Sequence, residues 1–279
     1  MNCGFVLPGG DARQQLEQAV IADQSGWDGV FVWETSYGVD PWTLMGAMAQ
    51  RTSHVKLGTM LTPLPWRRPW KLAGQAVTLD QVSNGRAILA VGLGAVDDVL
   101  GSTGEITDLR TRAEMMDEGI DLIAGLWNQQ LRYDGQHYQV NLEARSNLAS
   151  STVSVQQPRV PIWVVGAWPR PKSMERVLRC DGLIPQAMDA NGPREMRPDD
   201  VPHIMAWLRE HGRSIEGFDI ITEGETPTYD VGTAAEIVAP WTEAGCTWWL
   251  ETRWGDLQMS PERTQEVRRR LEAGPPKGQ

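Results

Sequence analysis

The sequence predicts an α/β fold of the (β/α)8 type, a TIM barrel, in a single domain over residues 1–279. Three observations predict it. Strand-length apolar runs alternate with amphipathic helical segments from end to end, and strict alternation implies parallel strands. Eight such units fill about 270 residues, the size of this barrel. Glycine, proline and acidic cap residues stand where strand must turn to helix or back. A doubly wound open sheet is the alternative arrangement of the same units.

The first unit joins the strand "CGFVLP" to the helix "DARQQLEQAVIADQSG". Leu16, Ala19, Val20 and Asp23 share one face of that helix, and Gly26 stops it. "DGVFVWE" is the second strand. The helix in "DPWTLMGAMAQRTS" follows, with Asp40 as N-cap and Pro41 in the first turn. "VKLGTMLT" is the third strand, and its helix runs from Pro69 to about Val82. The turn "SNG" leads into the fourth strand, "RAILAVGLG", which ends where side chains vanish, at Gly92 and Gly94.

In the fourth helix Ala113, Met116, Ile120, Ile123 and Trp127 recur every three or four residues. A polar insertion over about residues 128–158 comes next, with a hairpin across "YDGQHY". "PIWVVG" is the fifth strand and Lys172 to Arg179 its helix. "CDGLIPQ" is the sixth, followed by the helix in "RPDDVPHIMAWLREHG". "FDIITEG" is the seventh, and Thr233 with Glu236 fits a capping box for the helix after it. In the eighth, "CTWWLET", adjacent Trp248 and Trp249 must face opposite sides of the barrel wall. Ser260-Pro261-Glu262 opens the last helix, and the "GPP" at Gly274 closes it.

A formal net charge of −10 argues against a nucleic-acid partner. The one basic run, Arg268–Arg270, reads as a solvated helix face. No apolar run reaches membrane-spanning length, and the opening "MNCGFVLPGG" lacks the layout of a signal peptide. A cytoplasmic location is therefore expected. Cys3, Cys180 and Cys246 are odd in number and far apart, which suggests neither a disulfide framework nor a zinc knuckle.

In such barrels the chemistry sits at the strand C-terminal ends. Those ends carry Pro8 and Gly9; Trp33, Glu34 and Thr35; Leu61 and Thr62; Gly92 and Gly94; Gly166, Ala167 and Trp168; Pro185 and Gln186; Glu223; Glu251 and Arg253. His54, His137, His203 and His211 lie elsewhere, so no metal site is expected. A carboxylate pair drawn from Glu34, Glu223 and Glu251 is the route to a barrel hydrolase. A wide mouth with few acid–base groups suits chemistry carried by a cofactor. Gly92 and Gly94 either let a planar, phosphate-bearing molecule approach the backbone or make a tight turn. Trp33, Trp42, Trp66, Trp70, Trp168, Trp248 and Trp249 are either walls of a dry pocket or ordinary packing. Arg170 and Arg253 are candidates for an anionic group or for surface ion pairs.

The block "DPWTLMGAMAQRTSHVKLGTMLTPLPWRRPWKLAGQAVTLDQVSNGRAILAVGLG" resembles the bacterial luciferase-like superfamily of flavin-dependent oxidoreductases. "SGWDGVFVWE", "VPIWVVGAWP" and "CDGLIP" are similar to further strands of that superfamily. The resemblance implies a barrel that binds FMN or the deazaflavin coenzyme F420 at its mouth. Reduced FMN with dioxygen would oxygenate a small organic substrate; F420 would move a hydride. Cofactor contacts are implied for Thr59, Met60, Leu61 and Thr62, with a non-proline cis peptide among them. Gly92 and Gly94 would border the ring or ribityl chain, and Gly166, Ala167 and Trp168 the phosphate. Pro8, Trp33, Glu251 and Arg253 are the substrate-side candidates.

Two departures bear on mechanism. Glu34-Thr35 stands where many members have Asp-His, so the His used as acid or base in several relatives is absent; Glu34 is either the catalytic proton-transfer group or a structural carboxylate hydrogen-bonded to a neighbouring loop. Ala95 stands where the deazaflavin dehydrogenases carry a glutamate, which favours FMN. A catalytically silent flavin-binding or partner subunit is a further alternative. A flavin reductase partner is expected in the FMN case. The resemblance implies a homodimer through the helices after the second and third strands; Met45, Met48, Trp70 and Val77 either serve there or pack helix against barrel.

Overall fold

The computed structural model of the chain describes residues 1–96, 98–144, 153–254 and 259–276. Its strands are β1 (Asn2–Leu7), β2 (Gly29–Val32), β3 (Lys56–Thr59), β4 (Thr62–Pro63), β5 (Ala87–Gly92), β6 (Arg132–Asp134), β7 (Gln139–Asn141), β8 (Ile162–Trp168), β9 (Gly182–Asp189), β10 (Gly192–Pro193), β11 (Asp219–Gly224) and β12 (Trp248–Glu251). Its helices are α1 (Ala12–Gln24), α2 (Pro41–Arg51), α3 (Pro69–Ser83), α4 (Asp98–Ser102), α5 (Leu109–Trp127), α6 (Pro171–Val177), α7 (Asp200–Glu210), α8 (Val231–Ala244) and α9 (Pro261–Glu272).

The parallel strands run round in the order β1-β2-β3-β5-β8-β9-β11-β12, and β12 pairs with β1 to close the ring. This is the expected (β/α)8 barrel. The third strand is split at Met60–Leu61, a cis peptide, and resumes as β4 beside β5. β10 hooks back antiparallel on β9. The insertion forms the hairpin expected across "YDGQHY", with Tyr133 opposite Val140. The insertion's residues 145–152 lie outside the described residues.

Strand parity sets what enters the barrel. The lower interior is filled by three aromatic side chains, Phe31, Trp163 and Trp248. Phe31 stacks on Trp163 with centroids 5.4 Å apart, and Trp248 meets the two rings edge-on at 5.9 and 5.2 Å. Four glycines make the room. A Cβ at Gly4 would lie 2.6 Å from Phe31, one at Gly29 2.9 Å from Phe31 and 3.0 Å from Trp248, and one at Gly58 3.0 Å from Phe31. A Cβ at Gly182 would overlap Trp163. The Trp163 indole N–H donates to Asp219 at 3.1 Å, and Thr247 donates to the same carboxylate at 2.8 Å. Burial raises the Asp219 carboxyl above its ordinary range against these hydrogen bonds. Trp249 faces the helices, as parity requires of Trp248's neighbour.

Polar clamps tie the loops at this same end of the barrel, where the strands begin. Arg86, from the "SNGR" turn, donates to the carbonyls of Ala49, Thr52, Val55 and Ser83 and to the Thr52 hydroxyl. Asp80 accepts from the backbone of Val155 and Gln156. Asp23 accepts from the backbone of Ser53, His54 and Val55. Backbone hydrogen bonds to a fixed carboxylate hold Asp23 below its ordinary range, although partial burial opposes them.

Four expectations are corrected. The buried face of α1 carries Gln15, Gln18, Ala19 and Ala22, while Leu16 and Val20 are only partly covered. α8 is capped by Asp230, which accepts from Thr233 N–H, so Thr233 lies inside the helix and does not cap it. Met45, Met48 and Val77 are buried within the chain and so offer nothing to a partner surface. Arg270 is not solvated: it is 2% exposed, and its guanidinium lies over the Trp27 ring.

The plug tolerates neither addition nor loss. Gly182→Ala is expected to destabilise the fold by about 1–3 kcal/mol through overpacking. Trp163→Ala is expected to cost about 3–5 kcal/mol through the cavity it leaves. Urea-unfolding midpoints check both; an unchanged midpoint in either variant contradicts the packing described.

Candidate active site

A cavity of about 920 Å³ opens over the strand C-termini and continues outward beside α8. Its floor is the layer above the aromatic plug: Met60, Val165, Ile184 and Ile221, all apolar. Above them the wall turns polar, with Glu34, Gln186 and Glu223.

Glu34 follows β2, and its side chain is 4% exposed. One oxygen, Oε1, accepts from Arg67 Nε at 2.6 Å and is also paired with Arg67 Nη2. The other, Oε2, is buried without a hydrogen-bond partner. Arg67 is itself held by Asp40, the α2 cap, at 3.2 Å. Burial raises the Glu34 carboxyl above its ordinary range, and Arg67 and the nearby Thr62 hydroxyl oppose that rise. Desolvation wins here, so Glu34 can hold a proton at higher pH than a solvated glutamate. A second cavity of about 360 Å³ lies on the far side of Glu34 and Arg67, and both residues line it.

Glu223, at the end of β11, accepts from the Trp254 indole at 3.1 Å. Its surface is open to the cavity, yet the surrounding protein raises its carboxyl. Two arginines also line the cavity, and each is clamped by an aspartate. Arg176 donates to both oxygens of Asp117 at 2.9 Å, and Arg194 to both oxygens of Asp200 at 2.6 and 2.8 Å.

The β5 exit loop is fixed from beneath by Arg112, which donates to Gly94 O at 2.8 Å and also to Leu93 O. Gly94 has φ +74, and a Cβ there would lie 2.6 Å from Pro63. A Cβ at Gly92 would lie 2.7 Å from the Leu61 side chain. The strand therefore loses its side chains chiefly because the Met60–Leu61 turn and Pro63 occupy that space. Thr59 donates to Ala90 O at 3.0 Å and Thr62 to Thr59 at 2.9 Å, which ties the split strand to β5.

The luciferase-like monooxygenase family matches residues 3–243. The chain belongs to the luciferase-like monooxygenase family. A coenzyme F420-dependent glucose-6-phosphate dehydrogenase of Amycolatopsis mediterranei (strain U-32) is 28% identical over 235 residues, 73% of this chain and 68% of that relative. The oxygenase component of a flavin-dependent trigonelline monooxygenase of Acinetobacter baylyi (strain ATCC 33305 / BD413 / ADP1) is 28% identical over 161 residues, 56% of this chain and 43% of that relative. In fold, an F420-dependent secondary alcohol dehydrogenase solved with an F420-acetone adduct superposes with a TM-score of 0.71 at 16% identity, covering 97% of each chain.

Within this luciferase-like barrel, the structure brings Trp33, Glu34, Met60, Leu61, Gly94 and Ala167 to the cavity. Thr59, Thr62, Gly92, Gly166, Trp168 and Pro8 are not among the described residues that line it. Gly166 faces outward, where a Cβ would meet Leu183, Val177 and Met174. Thr59 and Thr62 are buried in the strand wall. Of the proposed aromatic walls, Trp33 lines the main cavity and Trp66 the smaller one. Trp42 packs in the core beneath the helices, and Trp248 lies in the plug. Trp241, Trp254 and the segment Arg194–Met196 line the cavity without having been expected there. The Asn191-Gly192 turn that returns the chain over β9 was the available signal for that segment.

Glu251 and Arg253 are corrected as mouth residues. Glu251 has the parity of Trp249 and faces the helices. It is 0% exposed, accepts from Thr226 N–H, Thr226 Oγ1 and Trp249 Nε1, and pairs with Arg253 and Arg270. Arg253 donates to Thr226 O and pairs with Glu225. Cys180 and Cys246 are buried, and burial pushes each thiol up to about 12, so neither is an activated nucleophile.

The residues fit a flavin-type group. The cavity volume lies within the roughly 300–1,000 Å³ range of small-molecule sites. Its apolar floor suits a planar heteroaromatic ring, and Glu34 Oε2 is a buried polar atom without a partner. Of the residues expected to contact a cofactor, Met60, Leu61, Gly94 and Ala167 line this cavity.

Two outcomes follow. Native Glu34 binds its proton more tightly than the unfolded chain does, so stability drawn from this group falls as pH rises from about 4.5 through its raised folded value. Glu34→Gln is expected to remove that part of the pH slope, whatever constant offset it adds; urea midpoints across this window compare the two slopes. Glu251→Ala is expected to cost about 3–5 kcal/mol by stranding buried arginines, while Glu251→Ala protein that folds keeps wild-type ligand affinity in calorimetric titration.

Proposed function

We propose that this chain is an oxidoreductase that binds a flavin-type cofactor in the barrel mouth and transforms a small organic substrate there. The observation that carries the reading is the pairing of an apolar cavity floor with one buried carboxylate, Glu34, whose second oxygen is unpartnered. Such a site excludes water and handles a proton, but it holds no activated nucleophile among the described residues to do the rest. When bound, the cofactor supplies the transfer of electrons, hydride or activated oxygen. Met60 and Leu61 support its ring, Ala167 borders it, and Glu34 gives or takes a proton at Oε2.

Reduced FMN with dioxygen is the first reading, supported by Glu34-Thr35 and Ala95 at their departures and by the monooxygenase component among the relatives. This reading also entails a reductase that supplies reduced FMN. Coenzyme F420 and hydride transfer form the second reading, supported by a dehydrogenase relative that matches 73% of this chain.

Anaerobic titration with oxidised FMN, reduced FMN and F420, followed by absorbance and fluorescence, tests both. Tighter binding of reduced than oxidised FMN is the expected result. Saturable F420 binding without FMN binding replaces the first reading with the second, and binding of none overturns the proposal.

A further inference from the structure

Charge and aromatic surface are distributed unevenly around the cavity. β11, β12, β1 and β2 are consecutive neighbours in the barrel. The exits of β2, β11 and β12 bring Trp33, Glu34, Glu223 and Trp254 to the lining. The lining arginines come from the other half: Arg176 from α6, after β8, and Arg194 from the loop after β10, where Glu195 also reaches the lining.

Those arginines are spoken for. Each makes a two-point pair with an aspartate, Asp117 or Asp200. On the acidic half, Glu34 Oε2 is buried without a partner, and the described partner of Glu223 is the neutral Trp254 indole. The smaller cavity behind Glu34 repeats the bias. Glu34, Asp40 and Glu105 line it against Arg67, which is already shared between Glu34 and Asp40.

Carboxylates beside indole rings in a partly desolvated cavity favour one class of ligand. The carboxylates attract positive charge through space, and the indole face, the strongest of the aromatic rings in this respect, attracts a cation that has shed water. An anionic ligand on this half would meet carboxylates with no available cation.

We propose that the substrate of this site carries a positively charged substituted-ammonium group, bound on the β11–β2 half of the cavity by Trp33, Glu34, Glu223 and Trp254. The proposal rests on the cavity being the substrate site.

Calorimetric titration of the full chain with three near-isosteric probes tests it: choline, 3,3-dimethylbutan-1-ol and 3,3-dimethylbutanoate. Choline is expected to bind about tenfold or more tightly than the neutral alcohol, and the carboxylate most weakly. Glu223→Gln and Trp33→Leu are each expected to weaken choline about fivefold relative to the alcohol, so that the preference for charge narrows. Equal binding of choline and alcohol, tighter binding of the carboxylate, or no choline binding at roughly 20 mM overturns the proposal; because the probe series is run on the unsubstituted chain, misfolding of a variant does not rescue it. FMN and F420 titrations of the same preparation separate the two failures. Cofactor binding without an ammonium preference sinks the substrate class alone, and an ammonium preference without cofactor binding sinks the redox reading alone.

Discussion

Everything above the barrel's midline rests on three aromatic rings and the glycines that admit them. Phe31, Trp163 and Trp248 fill the lower interior only because Gly4, Gly29, Gly58 and Gly182 have no Cβ to meet them. Close packing of this kind leaves no slack: interiors are as dense as organic crystals, so a plug of large rings needs small residues opposite. The plug also sets the depth of the cavity, because its upper edge carries the Met60, Val165, Ile184 and Ile221 floor.

Above that floor, side chains with similar chemistry take different roles because of what surrounds them. Glu251 is buried with both oxygens engaged by Thr226, Trp249 and two arginines, and it serves as a brace between β12 and α9. Glu34 is nearly as buried, but only one of its oxygens is engaged. A desolvated carboxylate with spare acceptor capacity is the kind of group that titrates usefully. The arginines divide in the same way: Arg112 and Arg86 hold loop carbonyls, while Arg176 and Arg194 reach the cavity already neutralised.

The order of elements was legible because apolar periodicity and cap chemistry are local properties. Asp40 with Pro41, and Ser260 with Pro261, cap α2 and α9 as the sequence suggests. Membership of the luciferase-like family was legible in the run from Asp40 to Gly94, and that run largely builds structure: Arg86 and Asp80 clamp loops, and Gly92 yields to Leu61. Which parity of a strand faces inward is a global property. Two adjacent tryptophans gave no reason to send Glu251 outward, and the closure of β12 on β1 decides it. Trp254 and Arg194 escaped notice because they lie beyond the strand ends, on loops whose path depends on what they pack against. On α1, leucine and valine spacing pointed to a face that the barrel turns partly to solvent, and Gln15 reaches back to the Gly10 carbonyl instead.

The depth set by the plug has a consequence for how such a protein can acquire new reactions. A floor held by tightly interlocked rings is mechanically and chemically separate from the rim, where loops after β2, β9, β11 and β12 supply the polar groups. Rim residues can therefore be exchanged without repacking the foundation, and ligand size is adjusted by building walls higher or lower rather than by digging deeper. The barrel works as a socket of constant depth, and its chemistry is rewritten at the collar.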